Sequence, residues 1–322
     1  MASSGLSVRC ATQQERPNVL LLLCLSCWGI ACQTSPGTTD LDTPTTGAIT
    51  IAVDESFQPL VQSQIEVFTT LYTRTDITAR YTSEGEAVQD LLTDSVRLAI
   101  VSRDLTDAEK EVFQRLKITP RMIRIAVDGV ALIVNRSNPD SLAQMQELKE
   151  IFHGTRRTWR RSGQPIVVVF DSNNSSNLSF ILRTFELESL DSVQVFATRS
   201  NQQVIEYVKT NPNALGVIGT NWIADVDDPE QVGFRNDVTV MSIAAVPNPT
   251  EDDYYQPYQA YLQLETYPLR RDVLVLSREA RAGLGSGFMS FLASDRGQRI
   301  VLKSGLLPVT MPVRLVNLRD SF

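Results

Sequence analysis

Five serines stand where an apolar run gives way to a helical pattern. AITIAV (48–53) leads into Asp54, Glu55, Ser56 and Phe57, and DITARYT (76–82) leads into Ser83. VRLAIVS (96–102) ends on Ser102, with Arg103 next. The run VVF (168–170) breaks into DSNNSSN, where Ser175, Ser176 and Asn177 precede Leu178, Ile181, Leu182 and Phe185 at helical spacing. Hydroxyls at such junctions cap the free N–H groups of a first helical turn. The same groups suit an oxyanion. Singly, each serine reads as a cap or turn residue. Placed at equivalent strand ends of one sheet, they outline a polar cleft. Arg103 then offers the guanidinium that a hydroxyl-lined anion site wants.

The elements needed to hold these residues can be read from periodicity. Apolar or alternating runs at 48–53, 76–82 and 96–102 read as strands, separated by a helix carrying Leu60, Val61, Ile65 and Phe68 and by SEGEAVQDLLTD. TDAEKEVFQRLK (106–117) is a charged surface helix opened by a Thr cap. RMIRIAVDGVALIVN (121–135), with Gly129 in its middle, is too long for one compact lobe and is expected to cross into a second. The alternation then repeats: helix 141–152, strand IVVVFD, helix 176–187, strand 193–197, helix QQVIEYVKTN, strand ALGVIG. PLRRDVLVLS (268–277) is a second crossing strand, and one last helix, 287–305, returns to the first lobe. The fold class is α/β, with mainly parallel, helix-covered sheets in two lobes and a ligand cleft beyond the strand ends.

Composition narrows the chemistry. The chain has 322 residues and a formal charge of −7, which argues against nucleic acid as the partner. A single histidine, His153, sits in IFHGT at an expected helix C-terminus, so histidine-based catalysis and histidine metal sites have little to build on. All four cysteines lie at or before Cys32, so the body has no thiolate metal site or disulfide. No catalytic motif, cofactor motif or metal spacing is present, and the chain is read as a non-enzyme.

The N-terminus accounts for the cysteines. Arg9 and Arg16 precede the apolar run Val19 to Ile30, which is short for a membrane span and right for a secretory signal peptide, 1–31. GIAC, ending at Cys32, resembles the lipobox of bacterial lipoproteins, with Gly29 where Leu is usual. Residues 32–46, rich in Thr, Pro, Gly and Asp, read as a flexible tether between a lipid anchor and the body.

IFHGTRRTW (151–159), NALGVIGTNWI (213–223), TYPLRRDV (266–273) and FLASDRGQRIVLKSGLLPV (291–309) resemble, in order and spacing, segments of the phosphate-binding proteins that feed ABC importers. The resemblance implies a two-lobed type II periplasmic-binding fold, with lobe I over 47–130 and 266–322 and lobe II over 131–265. Together with the lipobox-like GIAC, it implies a lipid-anchored monomer in the periplasm or at the cell surface, capturing inorganic phosphate and delivering it to an ABC permease. A sensor or scaffold module, or a sulfate binder, is the alternative on the same fold. The implied ligand residues are Ser56 and Phe57, Ser83, Ser102 and Arg103, and Ser175, Ser176 and Asn177. Two positions depart from the family. Arg103 stands where an Asp accepts the phosphate proton, and Phe170 stands where an Arg precedes the second-lobe loop. Asp104 and Asp54 are the candidates for the acceptor.

Overall fold

A computed structural model describes residues 42–311. The signal peptide, Cys32 and the tether up to residue 41 lie outside the described residues. The last stretch of the expected tether, 42–46, instead packs on the body: Asp42 accepts from Arg97 at 2.8 Å, from Arg281 and from the backbone N–H of Leu284 at 2.8 Å.

The first third of the chain alternates strand and helix as its periodicity predicts. Strands β1 (Gly47–Asp54), β2 (Thr75–Thr82) and β3 (Leu98–Val101) run parallel. Helices α1 (Gln58–Leu71), α2 (Glu84–Leu92) and α3 (Asp107–Arg115) connect and cover them. Thr106 caps α3, and Glu109 reaches back to the Thr106 N–H, closing a capping box.

β4 (Arg121–Asn135) is the spine of the molecule, a 15-residue strand buried from Ile125 to its end. Its first half pairs with β11 (Arg270–Ser277), which pairs in turn with β3. Its second half pairs with β8 (Ala214–Gly219), followed by β6 (Val167–Phe170) and β7 (Val195–Ala197). The sheet order is β2-β1-β3-β11-β4-β8-β6-β7. Two short strands, β9 (Val238–Val240) and β12 (Leu307–Pro308), add to β4 from either half. β5 (Leu142–Gln144) and β10 (Ser242–Ala244) form a separate pair. Gly129 sits at the changeover because a Cβ there would lie 2.7 Å from Pro257 and 2.9 Å from the Thr220 hydroxyl.

Each half-sheet is covered on both faces, as a buried, largely parallel sheet requires. In the first half, Phe57, Leu60, Phe68, Phe288 and Leu292 pack on one side, and Val88, Leu91, Leu105 and Phe113 on the other. In the second half, α4 (Met145–Phe152), α5 (Ser176–Thr184) and α8 (Gln259–Gln263) cover one face. α6 (Asn201–Thr210) and α7 (Pro229–Asp237) cover the other.

Two expectations need correction. The second crossing is made by residues 266–269, where the Val130 N–H donates to the Leu269 carbonyl at 2.7 Å, and β11 itself stays with the first half. The last helix is two, α9 (Leu284–Ala293) and α10 (Asp295–Lys303), parted at Ser294, whose extended backbone lets its hydroxyl cap Gly297 N–H. Gln298 on α10 is fully buried. It donates to the carbonyls of Ile125 and Leu292, both at 2.9 Å, and accepts from the N–H groups of Val309 and Thr310 at 2.7 and 3.2 Å. Gln298→Leu strands these groups, with an expected loss of about 2–3 kcal/mol in urea unfolding.

Candidate functional site

β1 ends in the interior at Asp54, whose Oδ1 accepts the Ser56 N–H at 2.9 Å and caps a single turn of 3-10 helix, Glu55–Phe57. That turn holds Ser56 and Phe57, both with no exposed surface, at the opening of α1. In the other lobe, Ser175 caps α5 by accepting the Leu178 N–H at 3.1 Å, which fixes Ser176 and Asn177 in its first turn. The two turns face one another: the hydroxyls of Ser56 and Ser176 share a hydrogen bond of 3.2 Å. Asn221, after β8, donates to the Ser56 carbonyl at 3.1 Å.

The cation at this junction comes from β11, just past the crossing at residues 266–269. Arg271 on β11 lies directly opposite Asp128 on β4 in the antiparallel register. Its Nε and Nη2 donate to Asp128 Oδ2 at 3.0 and 2.9 Å, and its Nη1 donates to Ser176 Oγ at 2.9 Å. The guanidinium also lies over the Phe57 ring, 4.9 Å from its centroid. Both side chains of the pair are buried, at 1% and 0% exposure, so neither has water as an alternative partner.

Carboxylates crowd this one cation. Burial pushes Asp54 up to about 7, helped by Glu84 and Asp171 and opposed by Arg271 and Ser176. Burial beside Asp171 and Asp54 pushes Glu55 up to about 8, although Asn201 at the start of α6 donates to it from its N–H, at 3.2 Å to each oxygen, and from its amide. Asp128 and Asp171 are also raised by burial, against Arg271 for the first and Asn177 for the second. Asn177 donates to Asp171 Oδ1 at 3.0 Å and to Asn201 Oδ1 at 3.1 Å. Asp54 Oδ2, Asp128 Oδ1 and Asn177 Oδ1 are buried without a hydrogen-bond partner among the described residues.

Of the residues expected from sequence, the structure brings together Ser56, Phe57, Ser176 and Asn177, with Ser175 as the cap that holds the last two. Ser83 caps α2 and lines the outer opening, a cavity of about 330 Å3 shared with Glu55, Tyr81, Asp171 and Arg199. Ser102 and Arg103 are not brought to the Ser56–Ser176 junction. The Ser102 N–H and hydroxyl both donate to Glu84 Oε1 at 2.7 Å. Arg103 is held by Glu109 through two hydrogen bonds, at 2.8 and 2.9 Å, and stands 3.6 Å from Glu84. The guanidinium at the Ser56–Ser176 junction is that of Arg271, not Arg103. Asp104, one of the two proposed acceptors, pairs at the surface with Lys110 at 2.8 Å, whereas Asp54 is at the centre. Arg271 and Asp128 were missed, although charges inside the apolar runs PLRRDVLVLS and IAVDGVALIV were a visible sign.

Hydroxyls from both lobes, a helix start and one guanidinium are the kinds of donor that a tetrahedral oxyanion requires, and here they bond to one another. Ser56 and Ser176 have no imidazole beside them; His153 ends α4 and lies 3.2 Å from the Phe185 carbonyl. Among the described residues, no cluster of His, Cys, Asp or Glu forms a metal site.

Residues 38–296 match the model of the PBP superfamily domain. The chain is 23% identical over 249 residues to the phosphate-binding protein PstS of Staphylococcus aureus strain bovine RF122, covering 74% of this chain and 72% of that protein. Among solved structures it is similar to a phosphate ABC transporter substrate-binding protein of Clostridium perfringens, at 21% identity and a TM-score of 0.69, covering 82% of this chain and 100% of that one. An ABC-type phosphate transport receptor of Vibrio cholerae gives 21% identity and a TM-score of 0.61 over the same shares. With residues 38–296 matched and strand β4 common to both helix-covered half-sheets, the chain belongs to the PBP superfamily and has the type II periplasmic-binding fold.

Proposed function

We propose that this chain captures inorganic phosphate between its lobes and delivers it to an ABC permease. The observation that carries the reading is Arg271, which reaches from β11 to Ser176 at the start of α5, where the Ser56 hydroxyl of the other lobe also arrives. The names of the relatives support the choice of anion and of the transport role. The lobes in this reading are 47–130 with 266–322, and 131–265. A lipid on Cys32 holds the body outside the cytoplasm, in the periplasm or at the cell surface, as a monomer.

A phosphate dianion leaves water only if aligned donors replace its hydration shell. Hydrogen bonds involving a charged group contribute about 1.5–3 kcal/mol each. A few of them reach micromolar binding, about −8 kcal/mol. Donors from two lobes also favour the closed form through the hinge.

Calorimetric titration of residues 33–322, freed of bound anion by reversible unfolding, tests the reading. Saturable phosphate binding that sulfate does not reproduce is the expected result, and silence toward phosphate overturns it. Ser176→Ala should weaken phosphate binding by about 1–1.5 kcal/mol, roughly tenfold. A variant with lower thermal stability but unchanged affinity would reduce Ser176 to a structural contact.

A further inference from the structure

As carboxylates, Asp54 and Glu55 offer an anion no donors. They occupy one turn of the first lobe, Asp54 as its cap, and Glu55 reaches the second lobe through Asn201. Asp54 is buried within reach of the charges of Glu84 on α2, Arg271 on β11 and Asp171 after β6, and Ser176 on α5 favours its ionised form. Glu55 takes the first N–H of α6 through Asn201, beside Asp171 and Asp54, and shares its cavity with Glu86 and Arg199. Asp54, Asp128 and Asp171 thus lie about one buried guanidinium, Arg271, which already serves Asp128, and Glu55 stands beside Asp171 and Asp54; Arg103, 3.6 Å from Glu84, is held by Glu109. An arriving anion would add to this excess of negative charge.

We propose that closure of the cleft on phosphate is coupled to proton uptake by Asp54 and Glu55, so that the protein binds the anion and protons together. The inference deepens the phosphate reading and rests on it for the identity of the anion. The coupling itself follows from the placement of the two carboxylates. On opening, Glu55 would lose Asn201 and both carboxylates would gain water, titrating toward the ordinary carboxylate range. Closed, they are raised to about 7 and about 8. A group whose closed-state value is raised favours closure as pH falls through that value and opposes it above. The window therefore runs from about pH 8 down to the ordinary carboxylate range. The neutral acids would also serve as donors to the anion. Asp54 Oδ2, buried beside Ser176, is the atom placed to carry such a proton.

Two measurements test this. Phosphate titration at pH 6.5 and 8.5, in buffers of different ionisation enthalpy, should show affinity rising at least about tenfold at the lower pH. It should also show proton uptake exceeding that of a Glu55→Gln/Asp54→Asn variant, in which only phosphate itself titrates. Equal pH dependence and equal proton uptake in the two proteins would overturn the coupling while leaving phosphate binding intact. If the double variant does not fold, Glu55→Gln alone carries the comparison. Small-angle scattering without phosphate gives an independent reading: the wild type should be more compact at pH 6.5 than at 8.5, and Glu55→Gln should stay compact at both. Absence of that shift overturns the coupling whatever the ligand, whereas the shift together with silence toward phosphate would sink only the choice of anion.

Discussion

Replacing Arg271 with methionine is expected to lower stability by about 3–5 kcal/mol, because Asp128 is then left fully buried without its partner. Phosphate affinity should fall at the same time by about 100-fold, the equivalent of losing one strong charge-assisted contact. Urea unfolding and calorimetric titration read the two effects separately. The double variant Arg271→Met/Asp128→Leu distinguishes their causes. Removing both charges of a buried pair is often neutral, so the double variant should recover most of the stability and none of the affinity. A single variant that binds phosphate normally would make Arg271 a purely structural partner of Asp128.

Phe57→Ala is expected to cost about 3–5 kcal/mol by emptying a fully buried ring site in the first lobe. The ring also supports the face of Arg271, so anion affinity should fall with it. Phe57→Leu keeps most of the volume and should cost less than about 1.5 kcal/mol. An affinity loss in the leucine variant, with stability nearly kept, would isolate the contribution of the aromatic face beneath the guanidinium. Equal affinity in wild type and leucine variant would confine Phe57 to packing.

The strands and most helices were legible because their apolar periodicity is local. AITIAV, VRLAIVS and ALGVIG each become the strand that their composition suggests. The break at Ser294 was harder, since no Pro or Gly marks it; the sign was a serine followed by Asp295, a cap and first-turn acid inside an apolar pattern. Ser56 and Ser176 were readable as loop residues, but their meeting was not a local fact: 120 positions separate them. Arg103 misled because its partner, Glu109, had an evident local task in the capping box of α3, while its carboxylate also holds the arginine. Arg271 went unnoticed because its role depends on the register of β11 against β4, which brings it to a residue 143 positions earlier.

Both ends of the described chain leave from one lobe. Asp42 is fastened to Arg97, Arg281 and the start of α9, and β12 closes against the first half of β4. Everything from the second half of β4 to residue 265 is in effect an insertion hung on two adjacent strand connections. A pull on either end is therefore carried through the first lobe alone, with the second outside the line between the attachments. A body held from its N-terminal side could open and close against a stationary frame, its moving part never in the line of force.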